Sequence, residues 1–228
     1  MRARSLSLAL LLALAAPAAA VPAPDLYRQH CASCHGEDRL GRMGPALLPE
    51  SLARLKPPAL EAVIRDGRPA TQMPGFADQL GADEIAALAE LVRTPLAEMP
   101  RWGAEEIAAS RVELVPPETL PDRLQWSADP LNLFVVVEAG DQHVTILDGD
   151  RFEPLARFPT RFALHGGPKF SPDGRFVHLM SRDGWVTRYD LWSLQPVAEV
   201  RAGINSRNIA ISDDGRVIAV ANYLPHSL

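Results

Sequence analysis

Residues 31–35 read Cys-Ala-Ser-Cys-His, and Cys31 and Cys34 are the only cysteines in the 228-residue chain. A disulfide between two residues this close would close a strained, very small loop, so a structural disulfide is disfavoured. A thioredoxin-like redox pair is the usual alternative for two cysteines separated by two residues. His35 follows Cys34 directly, and C-x-x-C-H is the attachment signature of a c-type haem. Haem attachment is therefore favoured over the redox pair.

Covalent haem attachment needs all three side chains of this motif. Cys31 and Cys34, one helical turn apart, add their sulfurs to the two vinyl groups, and His35 places its imidazole under the iron as the proximal ligand. We therefore predict a haem c that is bound covalently by Cys31 and Cys34 and ligated at its iron by His35.

A sixth iron ligand is expected downstream, and the methionine thioethers are the candidates. Met43 follows the motif closely, beside a Gly44–Pro45 pair that resembles the haem-covering turn of small cytochromes c, while Met99 lies beyond the last helix of the domain. Met73 lies in an irregular stretch that resembles the methionine loop of small bacterial cytochromes c, and the following Pro-Gly favours a loop. Filling a core is the alternative role for a lone methionine. Met73 is the predicted ligand.

The sequence around the motif predicts a compact all-α cytochrome c domain over residues 21–98. Residues 57–67 begin with two prolines and end at a glycine, which is the pattern of a helix with both ends marked. Residues 81–94 place acidic side chains near their start and apolar side chains along one face. In small cytochromes c such a terminal helix crosses the haem-bearing helix.

The N-terminal segment of the chain predicts an exported protein. Arg2 and Arg4 precede a short apolar run that ends in small residues, which is the pattern of a signal peptide at residues 1–20. We therefore expect a periplasmic location, and no later segment is apolar enough to span a membrane. The formal net charge of −5 argues against a general nucleic-acid binder.

A second, β-rich domain is predicted over residues 122–228, after a proline-rich linker at residues 99–121 in which Trp102 is expected to pack across the domain junction. Short β-rich runs alternate with Gly and Asp, and related segments begin at Ser127, Ser171 and Ser212, at nearly equal intervals. A period of about 40–45 residues, with several strands in each unit, is typical of β-propeller blades.

The repeats present are too few to close a propeller. Residues 122–228 have room for two to three blades, whereas propellers usually have four to eight. We therefore expect the chain to be the N-terminal part of a longer protein, and the fragment alone to be inactive.

The combination of an exported cytochrome c domain with blades reading ALHGGPKFSPDGRFVHLMSRDGWVTRYDLW and INSRNIAISDDGRVIAVANYLP resembles the haem d1-binding family, which contains cytochrome cd1 nitrite reductase and its relatives. The family fold is an eight-bladed β-propeller that holds haem d1 over its central channel. The resemblance implies His165 as a ligand of the haem d1 iron. It also implies that Arg182, Arg207 and Tyr223 contact haem d1 or dihydro-haem d1.

Two departures from the reductase pattern point to another branch of the family. Pro168 stands where the reductase branch has an arginine three residues after the ligand histidine, and Val137-Glu138 stand where it has the arginine of an R-D-A-G turn. The form of these segments resembles the NirN-type branch, which implies oxidation of a dihydro-haem d1 propionate to an acrylate, with electrons passing to haem c. The catalytic base would lie in later blades.

The alternatives are a nitrite reductase, a non-enzymatic haem d1 carrier and an electron-transfer protein. The partners that the resemblance implies are a haem d1 precursor as substrate, nitrite reductase or other proteins that handle haem d1, and small periplasmic electron-transfer proteins.

Overall fold

A computed structural model describes residues 21–161, 164 and 167–228 of the chain. The predicted signal peptide at residues 1–20 and the predicted ligand His165 lie outside the described residues. The helices are α1 (Ala23–His30), α2 (Ala32–His35), α3 (Pro49–Leu52), α4 (Pro57–Asp66), α5 (Ala82–Arg93) and α6 (Ala104–Ala109), and a 3-10 turn spans Pro117–Thr119.

The first five helices enclose one apolar core. Leu26 and Tyr27 of α1 are buried and pack in the same cluster as Ile85, Leu88 and Val92 of α5. This contact confirms the prediction that the terminal helix meets the helix before the haem motif. Removing such aliphatic and aromatic side chains from water contributes about 1.5–3 kcal/mol each, so this core holds the haem motif in place.

The sequence signals for helix ends are present at α4 and α5. Helix α4 begins with Pro57 at a position whose backbone N–H has no partner within a helix, and it ends before Gly67, which has a φ of 74°. Helix α5 begins after Gly81, and the Glu84 side chain accepts a hydrogen bond from the Gly81 backbone N–H at 2.9 Å. Both helices therefore begin and end where the sequence predicted.

The second part of the chain is built of antiparallel strands. They are β1 (Val112–Glu113), β2 (Leu133–Glu138), β3 (His143–Asp148), β4 (Pro154–Pro159), β5 (Lys169–Phe170), β6 (Phe176–Met180), β7 (Trp185–Asp190), β8 (Gln195–Arg201), β9 (Asn205–Ile211), β10 (Ile218–Leu224) and β11 (His226–Ser227). The described strands form three sheets with the orders β2-β3-β4, β1-β8-β7-β6-β5 and β11-β10-β9.

The repeats seen in the sequence have the same local structure. The Asp129, Asp173 and Asp214 side chains each accept a hydrogen bond from the backbone N–H two residues later, at 2.9, 3.1 and 3.0 Å. The three turns lead into strands β2, β6 and β10, respectively. Because each aspartate has the same place and the same hydrogen bond in its own repeat, the structure confirms the internal repetition.

Residues 99–121 connect the two parts of the chain and also form regular structure. They contain helix α6 and strand β1, and β1 joins the edge of the second sheet by pairing Val112 with Glu199 of β8. The Trp102 indole packs beside the junction and its Nε1–H donates to the Arg201 carbonyl oxygen at 2.9 Å. The expectation that Trp102 packs across the domain junction is confirmed.

A small apolar cluster joins the cytochrome part to the β-sheets. Ala46 and Leu48 from the segment after the haem motif are buried against Ile204, which directly precedes β9, and Leu224, which ends β10. Leu40, Leu96 and Trp102 pack at the margin of this cluster. The sheets therefore contact the segment that follows the haem motif. Within the ranges that the structure describes, no helix is long and apolar enough to cross a bilayer.

Candidate functional site

The two cysteines of the motif lie at the junction of helices α1 and α2. Both are free thiols and partly exposed, with Cys31 between the two helices and Cys34 within α2. Burial, together with the neighbouring Cys34, raises the pKa of the Cys31 thiol to about 11. A thiol with a raised pKa is a poor thiolate nucleophile at neutral pH, which argues against the thioredoxin-like alternative.

His35 is held in the tautomer that a metal ligand needs. Its side chain is buried, and its Nδ1–H donates to the Pro45 carbonyl oxygen at 2.8 Å. A carbonyl can only accept, so the proton is on Nδ1 and the lone pair is on Nε2. Burial also lowers the pKa of His35, which favours the neutral imidazole. The Nε2 atom is therefore available as an iron ligand.

Gly44 lies directly against the His35 ring. A Cβ atom at this position would be 2.6 Å from Cε1 and 2.8 Å from Nδ1 of His35. The Gly44 backbone N–H donates to the Cys34 carbonyl oxygen at 2.6 Å, so the turn is fixed to the motif itself. Together with Pro45, Gly44 therefore determines where the imidazole can lie. These observations fit a haem c on Cys31, Cys34 and His35.

Met73 lies in the segment between α4 and α5, where the sequence predicted an irregular loop. Its side chain is partly buried and packs against the core of the cytochrome part, whereas Met43 and Met99 are 48% and 41% exposed. The loop is compact, because the Arg68 backbone N–H donates to the Met73 carbonyl oxygen at 3.0 Å and the Met73 N–H donates to Thr71 Oγ1 at 3.2 Å.

The three residues attributed to the second tetrapyrrole lie close together. Arg182 is in the turn between β6 and β7, and its carbonyl oxygen accepts a hydrogen bond from the Ser206 backbone N–H at 2.9 Å. Arg207 follows Ser206 in strand β9, and its guanidinium lies 4.6 Å from the centre of the Tyr223 ring. The structure thus brings Arg182, Arg207 and Tyr223 to one region of the second and third sheets.

Leu164, Gly167 and Pro168 border a small cavity. Leu164 pairs with Ser181 beside strand β6, one residue from Arg182. The cavity has a volume of 190 Å³ and is lined by Val137, Leu164, Gly167, Pro168, Leu179 and Met180. The lining is mostly apolar.

The electrostatics of Arg182 reveal two residues that sequence reasoning missed. Burial lowers the pKa of the Arg182 guanidinium, and Arg207, Arg68 and Arg54 lower it further. Arg54 and Arg68 belong to the cytochrome part, so positive charge from both parts of the chain acts on one position. No local sequence pattern marks either arginine, because the relation arises only when the two parts pack together.

Comparison with known families agrees with the two-part organisation. Residues 18–92 match the family described as "Cytochrome C oxidase, cbb3-type, subunit III", and residues 128–228 match the family described as "Cytochrome D1 heme domain". The cytochrome c part and the haem d1 part are therefore both shown, and they follow each other in the predicted order.

Whole-chain relatives are similar to this protein along nearly its full length. It is 63% identical over 231 residues to "Dihydro-heme d1 dehydrogenase" of Pseudomonas aeruginosa, covering 100% of this chain and 46% of the relative. It is 27% identical over 202 residues to "Nitrite reductase" of Stutzerimonas stutzeri, covering 82% of this chain and 36% of the relative.

A solved structure has the same fold. The structure described as "Dihydro-heme d1 dehydrogenase NirN in complex with DHE" matches with a TM-score of 0.81 at 63% identity, covering 90% of this chain and 44% of that chain. The chain thus spans about half the length, or less, of the relatives that it matches.

Proposed function

The chain belongs to the haem d1-binding family of c-type cytochromes, and we propose that the whole protein is a dihydro-haem d1 dehydrogenase. The substrate class is a reduced tetrapyrrole that carries several carboxylates. The reaction converts one propionate side chain to an acrylate. The observation that carries this proposal is the 63% identity to the dehydrogenase over both parts of the chain, against 27% identity to the nitrite reductase.

The proposed reaction is a two-electron dehydrogenation. Two C–H bonds of the propionate break, one C=C bond forms, and two protons and two electrons leave the substrate. The covalent haem supplies one-electron redox chemistry when bound. The electrons leave the protein through a small periplasmic electron-transfer protein, which is the oxidant by class. A base for proton removal is proposed in later blades.

Each predicted site residue has a proposed role in this scheme. Cys31 and Cys34 attach the haem, and His35 and Met73 ligate its iron. The neutral imidazole, with Nε2 available, supports the role of His35. The partial burial of Met73 in a closed loop, against the exposure of Met43 and Met99, supports Met73 as the thioether ligand.

The substrate site is proposed on the β-sheets. His165 ligates the iron of the tetrapyrrole, and Arg182, Arg207 and Tyr223 contact its carboxylates and ring edge. Guanidinium groups bind carboxylates through paired hydrogen bonds. The proximity of Arg182, Arg207 and Tyr223 supports a shared ligand.

The architecture proposed for the whole protein is an eight-bladed propeller behind the cytochrome c domain. The cytochrome domain spans residues 21–98, a linker spans 99–121, and the first blades span 122–228. The three antiparallel sheets and their repeated aspartate turns support this division. The location proposed is the periplasm, and the product passes to nitrite reductase or another protein that handles haem d1.

A nitrite reductase is the alternative that shares this architecture. It needs electrons to flow from haem c to the tetrapyrrole, in the opposite direction. Pro168 and Val137-Glu138 stand in place of two arginines of that branch, so the dehydrogenase has the better support.

The test uses the whole protein with its covalent haem. Anaerobic addition of dihydro-haem d1 and an electron acceptor should produce the spectrum of the acrylate form, a loss of two hydrogen atoms by mass spectrometry, and transient reduction of haem c. A Cys31→Ser/Cys34→Ser variant, which cannot bind haem covalently, is the control and should not oxidise the substrate. Rapid nitrite turnover without substrate oxidation would identify a reductase, and tight binding without oxidation would identify a carrier.

A further inference from the structure

Two segments of the cytochrome part that carry arginines are docked on the β-sheets. Helix α3 is fixed to strand β9, because the Asn205 side-chain amide donates to Ser51 Oγ at 3.1 Å. Arg54 lies three residues after Ser51, and Arg207 lies two residues after Asn205. This contact brings the arginine that follows α3 towards the arginine of β9.

The methionine loop is docked on the first sheet in a similar way. The Gln142 side-chain amide donates to the Met43 carbonyl oxygen at 3.3 Å and to Gln72 Oε1 at 3.4 Å. A Cβ atom on Gly140 would lie 3.2 Å from the Ala70 carbonyl oxygen, so the two backbones are in close approach. The loop that begins at Arg68 is therefore held against the turn between β2 and β3.

Arg182 lies at the point to which these segments converge. Its side chain is partly buried, and Arg54, Arg68 and Arg207 act on it as neighbouring like charges. No ion pair within the described ranges involves Arg54, Arg68 or Arg182. The adjacent Asp183 does not serve as the ion-pair partner of Arg182. Its Oδ1 accepts a hydrogen bond from Ser181 Oγ, and burial raises the pKa of its carboxyl group.

Like charges held together at a domain junction destabilise that junction unless an anion separates them. The chain has 28 acidic and 23 basic side chains, so carboxylates to neutralise the site were available to the sequence. Two other partly buried arginines of the protein have such partners, Arg175 with Asp190 at 2.9 Å and Arg161 with Glu199 at 2.5 Å. Arg201 makes no ion pair, but the carboxylates of Asp183 and Asp38 act on its charge. Among the described residues, only arginines are found to act on the charge of Arg182, and this arrangement fits an anionic ligand.

We propose that Arg54 and Arg68 of the cytochrome part form, together with Arg182, one site for the carboxylate side chains of a tetrapyrrole at the junction between the cytochrome part and the sheets. The site rests on the proposed function, since it supposes that a tetrapyrrole is bound there. Its consequence is that the cytochrome part binds tetrapyrrole carboxylates in addition to relaying electrons. The carboxylates belong either to dihydro-haem d1 or to the covalent haem c.

The experiment compares Arg54→Gln, Arg68→Gln and the double variant with the wild type, all as whole protein with covalent haem. Arg65→Gln is the matched control, because it removes the same charge from the same domain. In the wild type, Arg65 pairs with Asp66 on the surface. Dihydro-haem d1 binding is measured by anaerobic spectral titration, with and without sulfate as a competing anion. The reduction potential of haem c is measured against pH in the same samples.

If the carboxylates are those of dihydro-haem d1, Kd rises about tenfold in the double variant, which corresponds to about 1.4 kcal/mol, while the haem c potential stays unchanged. Sulfate then weakens binding to the wild type more than binding to the double variant. If the carboxylates are those of haem c, the haem c potential and its pH dependence change and Kd does not. Either result supports the site and assigns its source.

The site is overturned if the double variant matches Arg65→Gln in both Kd and haem c potential. Failure of the proposed function gives a different result, namely a wild type that does not bind or does not oxidise dihydro-haem d1. The haem c measurement still tests the arginines in that case.

Discussion

The Nη2 atom of the Arg201 guanidinium donates a hydrogen bond to the Leu40 carbonyl oxygen at 2.7 Å, and the two residues are 161 positions apart in the sequence. Its Nε–H donates to the Asp183 carbonyl oxygen at 2.8 Å, and its plane lies 4.8 Å from the centre of the Trp102 ring. One side chain therefore joins the segment after the haem motif, the linker, and the turn that carries Arg182.

Replacing Arg201 by glutamine should loosen the junction. The change removes charge-assisted hydrogen bonds, which contribute about 1.5–3 kcal/mol each, and leaves the Leu40 and Asp183 carbonyl groups without their donor. We expect a loss of about 3 kcal/mol in unfolding free energy and faster cleavage within residues 96–121 in limited proteolysis. Arg157→Gln is the control, since its ion pairs with Glu138 and Asp141 are on the surface, where solvent screens them. Equal stability and equal cleavage in the two variants would contradict the role given to Arg201.

The cytochrome part was predictable because its signals are local. The haem motif of five residues, the two prolines that begin α4 and the apolar face of α5 each lie within a single segment. Each of them predicts its local structure without information from the rest of the chain. The repeated aspartate turns at Asp129, Asp173 and Asp214 are local in the same sense.

The sequences of strands β4 and β9 carry weak strand signals, for reasons that the structure shows. Strand β4 (Pro154–Pro159) begins and ends with proline, which is acceptable because it lies at the edge of its sheet. Strand β9 (Asn205–Ile211) begins with polar side chains that are buried only because they meet the cytochrome part and the neighbouring repeat. The Arg201–Leu40 contact and the grouping of arginines around Arg182 likewise form only when the two parts of the chain pack together. No single segment of the sequence can therefore predict them.

Gly44→Ala should disturb the haem iron ligation. The added methyl group would lie 2.6 Å from the Cε1 atom of His35, so either the imidazole or the turn must move. We expect a lower yield of correctly ligated haem and faster binding of added imidazole to the ferric iron, read from the absorbance spectrum. Gly81→Ala is the control in the same domain, because its nearest neighbour would be the Glu84 carboxylate at 3.8 Å. An unchanged spectrum and unchanged imidazole binding in Gly44→Ala would show that the ring is not confined by this glycine.

Met73→Leu should remove the proposed sixth iron ligand. Leucine keeps the apolar contact with the core but has no thioether, so the haem should lose the stabilisation of its reduced state and open a position for carbon monoxide. The expected result is a lower reduction potential and carbon monoxide binding to the ferrous protein. Met43→Leu and Met99→Leu are matched controls at exposed methionines and should behave as the wild type. Carbon monoxide binding in Met43→Leu instead would move the ligand assignment to Met43.

Stability of the β-sheets should fall in mild acid because of His178. This side chain is 4% exposed on β6, and its Nδ1 has no hydrogen-bond partner among the described residues. Burial, helped by the positive charge of Arg188, lowers the pKa of His178 to about 4, against a hydrogen bond with the Lys169 backbone that raises it. The unfolded chain, with an ordinary histidine pKa of 6.5, therefore binds a proton that the folded chain does not bind between these two values.

The folded-state pKa is depressed, so the contribution of His178 is fully present above pH 6.5 and is lost progressively down to about pH 4. The expected loss between pH 7 and pH 5 is about 2 kcal/mol of unfolding free energy, at about 1.4 kcal/mol per pH unit. His178→Gln keeps a donor but cannot titrate, so its denaturation midpoint for the β-sheets should change less with pH than that of the wild type. His226→Gln, at an exposed histidine, should follow the wild type. Parallel pH curves for wild type and His178→Gln would show that the buried histidine is not the group that destabilises the sheets in acid.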